Sequence, residues 1–256
     1  MPIPGNRMNI LEKFLTQSGL RKSFKSLFSK VLFANDSPVI VASSGRSGST
    51  MLFRSIQTSY FTHKSNSLYF NLAGRIIPSK YLLRLSELYL DSFADFPRFY
   101  APIQKTHVLC DYNYTRSARC IFVFGDPLES ALSVYQQSQL KGPQWAAKHL
   151  CHLQSNSSID ALFQQDALNY EQQLTSWMHP DVFYLHYLDI WKYKNELSRF
   201  LGFTLILPPQ LNRTPKAFVN LPQVNEELFS YLRNLESIAR DQSHDNIRAL
   251  LDSLAE

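Results

Sequence analysis

Arg46, Ser47, Ser49 and Thr50 stand together in the run Pro38-Val-Ile-Val-Ala-Ser-Ser-Gly-Arg-Ser-Gly-Ser-Thr-Met-Leu52. Three hydroxyls and a guanidinium within five residues are suited to holding an anion. The flanks say how they would be positioned. Val39 to Ala42 read as a buried strand, Ser43 to Ser49 are too small and flexible to continue it, and Met51-Leu-Phe-Arg-Ser-Ile56 resumes at helical spacing. At such a strand-to-helix turn the unpaired backbone N–H groups, the positive end of the helix dipole and the hydroxyls converge on one point. A phosphate-bearing ligand is the natural occupant.

The loop lacks the Gly-Lys-[Ser/Thr] ending of nucleoside triphosphatase loops, because Ser49 precedes Thr50. Gly45-Arg-Ser-Gly-Ser-Thr50 instead resembles the 5'-phosphosulfate loop of sulfotransferases that use 3'-phosphoadenosine 5'-phosphosulfate (PAPS). A second segment, Cys120-Ile-Phe-Val-Phe-Gly-Asp-Pro-Leu-Glu-Ser-Ala-Leu-Ser-Val-Tyr135, is similar to the family's strand ending in Arg-Asp-Pro with a 3'-phosphate-binding serine eight residues after the Arg. Asp126, Pro127 and Ser133 match, whereas Gly125 replaces the Arg. That replacement removes a charge-assisted contact of about 1.5–3 kcal/mol, for which Arg54, Arg213 and Lys216 are candidate substitutes. Lys105-Thr-His107 resembles an active-site tripeptide of cytosolic members. Val182 to Ile190, with Tyr187-Leu-Asp189, followed by Phe200-Leu-Gly202, resembles the strand and helix that close the family's sheet. These segments occur in family order between residues 38 and 220.

The resemblance implies transfer of a sulfuryl group from PAPS to a hydroxyl or amine of a small-molecule acceptor, such as a secondary metabolite, leaving 3',5'-ADP and requiring no metal. It implies that Arg46, Ser47, Gly48, Ser49, Thr50 and Met51 hold the phosphosulfate side. Met51 stands where many members carry a Trp. Ser133 would hold the 3'-phosphate, with Arg213 and Lys216 in a closing segment. In-line transfer needs positioned atoms, cations at the bridging oxygen and a base at the acceptor. Arg46 suits the bridging oxygen, His107 the base, and Lys105 the sulfonate. Asp111 or a carboxylate between Glu87 and Asp95 is the alternative base. His149 and His152, three apart, are too few for a metal site. The long connections 57–101 and 136–170, rich in aromatics such as Tyr60, Phe61, Tyr89 and Trp145, are expected to shape the acceptor pocket. Glu87, Asp91 and Asp95 recur every four residues, either as an attraction for a cationic acceptor or as a solvated helix face. Two other functions remain open: a nucleotide-binding relative without turnover, and a P-loop phosphotransferase.

The elements that must position these groups alternate. Strands are expected at Pro38 to Ala42, Ile103 to Leu109, Arg119 to Phe124 and Val182 to Tyr187. Helices are expected at Ser49 to Tyr60, Ser79 to Leu90, Leu128 to Ser138, Ser158 to Met178, Ile190 to Leu201 and within Pro222 to Ala255. The fold class is therefore α/β, and the resemblance makes it a three-layer P-loop type fold with four or five mainly parallel strands. With 256 residues and 45% apolar content, one domain spanning 1–256 suffices. The net charge of +5 resides entirely in residues 1–33, which carry six basic residues and one acidic. The balanced remainder argues against a nucleic-acid face. Residues 1–36 read as a basic amphipathic segment, and 221–256 as terminal helices; either could form a homodimer contact. Three cysteines without C-x-x-C spacing, and no apolar run long enough to span a bilayer, fit a reducing, cytoplasmic setting.

Overall fold

The computed structural model describes residues 27, 30, 33, 37–65, 87–90, 101–211 and 223–254. Strand β1 (Val39–Ser43) leads into helix α1 (Ser49–Lys64), and then come β2 (Glu87–Leu90), β3 (Ile103–Thr106), the short α2 (Tyr112–Thr115), β4 (Arg119–Phe124), α3 (Pro127–Lys141) and α4 (Pro143–His152). After a 3-10 turn at Ile159–Ala161 the chain forms α5 (Tyr170–Trp177), β5 (Val182–His186), a second 3-10 turn at Tyr187–Asp189, α6 (Lys194–Leu201) and α7 (Glu226–Ser253). The five strands pair in the order β2-β3-β1-β4-β5. All four pairings are parallel, with Val39 beside Ile103 on one side and Arg119 on the other. This is a three-layer α/β architecture with a five-stranded parallel sheet.

Burial on both faces explains why the central strands are continuous apolar runs. Val39 and Val41 of β1, with Ile121, Val123, Phe183 and Leu185, pack under Leu52, Phe53 and Ile56 of α1 and Leu197 and Phe200 of α6. Ile40 and Ala42, with Phe122 and Phe124, face Ala131 and Val134 of α3, Leu150 of α4 and Trp177 of α5. The terminal helix serves both layers: Phe229, Leu232 and Ala239 join the second cluster, and Ile247, Leu250 and Leu251 the first. It thereby runs past the β5 edge. Among the described residues no helix is long and apolar enough to cross a membrane. The three cysteines are free thiols.

Strand β4 begins and ends where the sequence places it, and β1, β3 and β5 differ at their ends by one to three residues. Two helices do not form as expected. Residues 87–90, assigned to the end of a helix, form strand β2, whose Leu88 is buried and Tyr89 exposed as strand alternation requires. The rest of that expected helix, 79–86, lies outside the described residues, as does most of the N-terminal segment. The helix expected over Ser158 to Met178 is confined to Tyr170–Trp177, because the Asp166 carboxylate accepts the N–H groups of Tyr170 (2.7 Å) and Glu171 (2.9 Å) and starts the helix there. Conversely α4, opened by Pro143 at its first turn, was not expected.

Trp177 ties the second layer together. It is fully buried, stacks on Phe122 at 5.8 Å, and donates its indole N–H to the Val108 carbonyl at 3.1 Å. Trp177→Ala is expected to cost about 3–5 kcal/mol in denaturant unfolding; a loss below about 1 kcal/mol would show that this layer repacks without it.

Candidate functional site

In open parallel sheets, ligands bind at the carboxyl ends of the strands where the chain order reverses. Here that point is the C-terminal end of β1, flanked by β3 and β4, and the loop Ser44 to Gly48 emerges from it. A cleft of about 730 Å3 opens there, within the range of nucleotide-sized sites. Arg46, Gly48, Ser49, Thr50, Met51, Lys105, His107 and Ser133 all line it. Residues separated by up to 87 positions in sequence thus meet in one place.

The loop is shaped by its own hydroxyls. Ser49 at the start of α1 donates to Ser43 Oγ at the end of β1 (2.8 Å), closing the turn, while the Ser47 hydroxyl donates to the Val123 carbonyl of β4 (2.9 Å). Ser47 would therefore serve a ligand through its backbone N–H. Gly48 caps α1 with φ +76, and a Cβ at that position would fall inside the ring of Tyr187. Both conformation and space demand glycine here. Tyr187 in turn lines the cleft, a role the Tyr187-Leu-Asp189 string did not reveal.

Arg46 Nε donates to Ser133 Oγ at 3.0 Å, so the guanidinium lies on the α3 side of the cleft. Lys105 takes the other side: its ammonium donates to Thr50 Oγ1 at 2.7 Å beside the α1 N-terminus. With 5% of its surface exposed, Lys105 is held down to about 8 by burial and then by the Arg46 and Arg54 guanidinium groups. His107 Nδ1 lies 3.0 Å from Ser43 Oγ and 3.1 Å from the Ser43 carbonyl. A carbonyl cannot donate, so the proton is on Nδ1 and Nε2 is the lone-pair nitrogen. Burial, followed by the Lys105 charge, holds His107 down to about 3, which leaves it neutral at pH 7.

Several expectations require correction. Arg54 is not a substitute for the family Arg at Gly125: its guanidinium is paired with Glu87 at 2.6 Å and with Gln57 at 2.8 Å, outside the cleft. That pairing, with Gln57 also on Glu87, removes Glu87 as a base, and its place in a strand removes it from any helix face. Asp111 is engaged as the N-cap of α2, accepting from the Asn113 N–H at 3.1 Å, and does not line the cleft. Tyr60 packs between Phe33 and Phe203 in the core, away from an acceptor pocket. Arg213, Lys216, Asp91 and Asp95 lie outside the described residues. Asp126 and Pro127 do the ordinary work of starting α3, with Asp126 Oδ1 accepting the Glu129 N–H (2.7 Å) and Oδ2 paired with Arg233 (2.9 Å).

Sequence reasoning missed three further cleft residues, Glu129, Lys141 and His149 as a wall group, whereas Trp145, expected at a pocket, does line the cleft. Glu129 and Ser133 are four apart on α3, Trp145 and His149 four apart on α4, so each pair shares a helix face. Once α4 is known to be a helix, this spacing identifies them. Gly125 has ordinary space for a Cβ, the nearest atom to one being Ser47 Cβ at 3.7 Å. The glycine is not there for lack of room.

Neither a protein-family model nor a curated protein sequence matches this chain.

Two outcomes follow from this geometry. Gly48→Ala is expected to destabilise the fold by about 1–3 kcal/mol in chemical denaturation, through positive-φ strain and overlap with Tyr187. Because protonated Lys105 favours an anion and its free value lies near 8, anion affinity measured by titration should fall as pH rises above about 8. Affinity unchanged up to about pH 10 would exclude Lys105 from the anion site.

Proposed function

We propose that the protein is a sulfotransferase that uses PAPS and a hydroxyl- or amine-bearing small-molecule acceptor. The observation that carries the proposal is the Arg46–Ser133 contact within a cleft whose opposite side holds Lys105 and Thr50. Two basic groups lie on two sides of one helix N-terminus, as a nucleotide with phosphate at two separate positions requires. The Gly48 cradle and the charges acting on Lys105, which come from other cations, suit the polyanion.

PAPS would supply the activated sulfuryl group and a phosphate leaving group. Arg46 and Ser133 would hold the 3'-phosphate, so Arg46 would take over the work of the Arg absent at Gly125. Lys105 and the loop N–H groups would hold the phosphosulfate and stabilise charge on the departing phosphate. His107, with its lone pair on Nε2 and its orientation fixed by Ser43, would accept the acceptor's proton. A bound anion beside it offsets the Lys105 charge and makes the imidazole more basic.

The low basicity of His107 in the free protein favours a second reading, a nucleotide-binding protein without turnover. A homodimer through the terminal helices belongs with these proposals; at α7 it would have to use the outer face, where Tyr231 and Ile238 are exposed.

In thermal-shift titrations, 3',5'-ADP is expected to stabilise the protein more than ADP or Mg-ATP does, by about 2.7 kcal/mol at 100 times its dissociation constant. Equal or larger shifts with Mg-ATP would overturn the PAPS reading. Release of 3',5'-ADP from PAPS with an acceptor panel separates turnover from binding alone. His107→Asn should lower turnover by about 10²–10⁴-fold with 3',5'-ADP affinity retained.

A further inference from the structure

The α4 wall of the cleft carries a group that the proposed transfer does not use. His149 lines the cleft with its ring 6.2 Å from that of His107. Its Nε2 is buried and has no hydrogen-bond partner among the described residues, lying 3.7 Å from where a Cβ on Gly45 would sit. A buried, unpartnered imidazole nitrogen beside a phosphate-type loop calls for a reason. The indole of Trp145 stacks on the same ring at 5.0 Å with planes 9° apart, and Lys141 Nζ lies 5.2 Å from the indole centre.

We propose that His149 is a proton-linked anion ligand of this cleft, taking up a proton when a phosphate- or sulfate-bearing molecule binds and adding a positive charge to the α4 wall. Two opposed influences make the ring bistable. Burial disfavours the imidazolium, as do the surrounding cations: Arg46 on the loop, Lys105 on β3, Lys141 on α3 and His152 on its own helix, which together hold His149 down to about 4. Neutral His107 faces it from the end of β3. The Trp145 face favours the charged form, since an imidazolium over an indole gains cation–π attraction. An anion among Arg46, Lys105 and Lys141 cancels the repulsion those groups exert and tips the balance toward the imidazolium. Affinity is then coupled to protonation: it is highest where the free protein is already charged, and falls as pH rises between the free and loaded midpoints. The inference rests on the cleft binding such an anion, and is independent of which nucleotide brings it.

Inorganic sulfate is the probe, because it does not titrate between about pH 5 and 7 and any proton taken up belongs to the protein. At constant ionic strength, sulfate affinity read from tryptophan fluorescence should be about five- to tenfold stronger at pH 5.5 than at pH 6.5. His149→Asn should bind with nearly the same affinity at both, and His107→Asn should keep the slope. A wild-type slope that persists in His149→Asn, no slope in the wild type, or no sulfate binding at all would overturn the proposal. Should the Asn variant fail to fold, the NMR titration of the His149 Cε1–H in the wild-type protein decides: its midpoint must move up when sulfate is added, and an unmoved midpoint overturns the assignment. A parallel titration with 3',5'-ADP and ADP separates the two readings. A His149-dependent slope with sulfate but no preference for 3',5'-ADP would leave the proton-linked site standing and remove the PAPS assignment.

Discussion

The hydroxyl-to-hydroxyl-to-imidazole chain Ser49–Ser43–His107 is the constraint on which the site depends. It joins the first residue of α1, the last residue of β1 and the residue beyond β3 in two buried contacts of 2.8 and 3.0 Å. Closing the Ser43–Ser49 turn fixes where the N–H groups of α1 point. The contact to Ser43 fixes the histidine tautomer by occupying Nδ1. One serine therefore sets both the direction of the anion cradle and the availability of the lone pair on His107. A serine suits position 43 because the position lies inside the sheet, fully buried, where one small hydroxyl oxygen accepts from both the Ser49 hydroxyl and His107 Nδ1–H.

Behind the cleft, one face of α7 holds the surrounding loops in register. Arg233, Glu236 and Arg240 stand at helical spacing, and reach Asp126 before α3, His186 at the end of β5 and Asp189 after it. His186 Nδ1 accepts the Leu188 N–H, so its Nε2 proton faces Glu236 at 3.4 Å. Arg240 grips Asp189 through two hydrogen bonds of 2.8 and 3.0 Å. Tyr187, between His186 and Asp189, is thereby kept over Gly48. Two of these contacts, Arg233–Asp126 and Arg240–Asp189, are ion pairs, whereas the cleft itself gathers Arg46, Lys105 and Lys141 around a single lining carboxylate among the described residues.

The sheet was legible because its signal is local. The continuous apolar runs at 39–42, 120–124 and 182–185 read as strands buried on both faces, as in a parallel sheet, and small-residue or Asp-Pro junctions mark where helices take over. The strand-to-helix turn after β1 was legible for the same reason. What could not be read was whatever depends on a partner distant in sequence. Leu88 and Tyr89 become a strand because β3 offers hydrogen bonds, overriding a four-residue spacing that suggested a helix. Arg54 looks available until Glu87 is placed beside it. His149 has no motif of its own, and reaches the cleft only because α3 turns at Gly142 into α4.

The geometry also divides the sequence resemblance into parts of unequal weight. Asp126-Pro127 would appear at many strand-to-helix junctions, since a carboxylate cap followed by proline is a general way to begin a helix, and both Asp126 oxygens are engaged structurally. Gly125 lies beside Ser47 and Tyr187, where an added Cβ would make ordinary van der Waals contacts, so its lack of a side chain is not imposed by a clash at Cβ. Ser133 is different. It falls two helical turns beyond the cap, on the face that meets the loop, and its hydroxyl receives the Arg46 guanidinium. Nothing about helix initiation requires a serine there or an arginine with positive φ, +50, opposite it. A strained cationic residue held against a hydroxyl in a cleft is costly for folding alone and useful to a ligand with two anionic ends. The case for a PAPS-type site therefore rests on Arg46 and Ser133 far more than on the Asp-Pro string that first draws the eye.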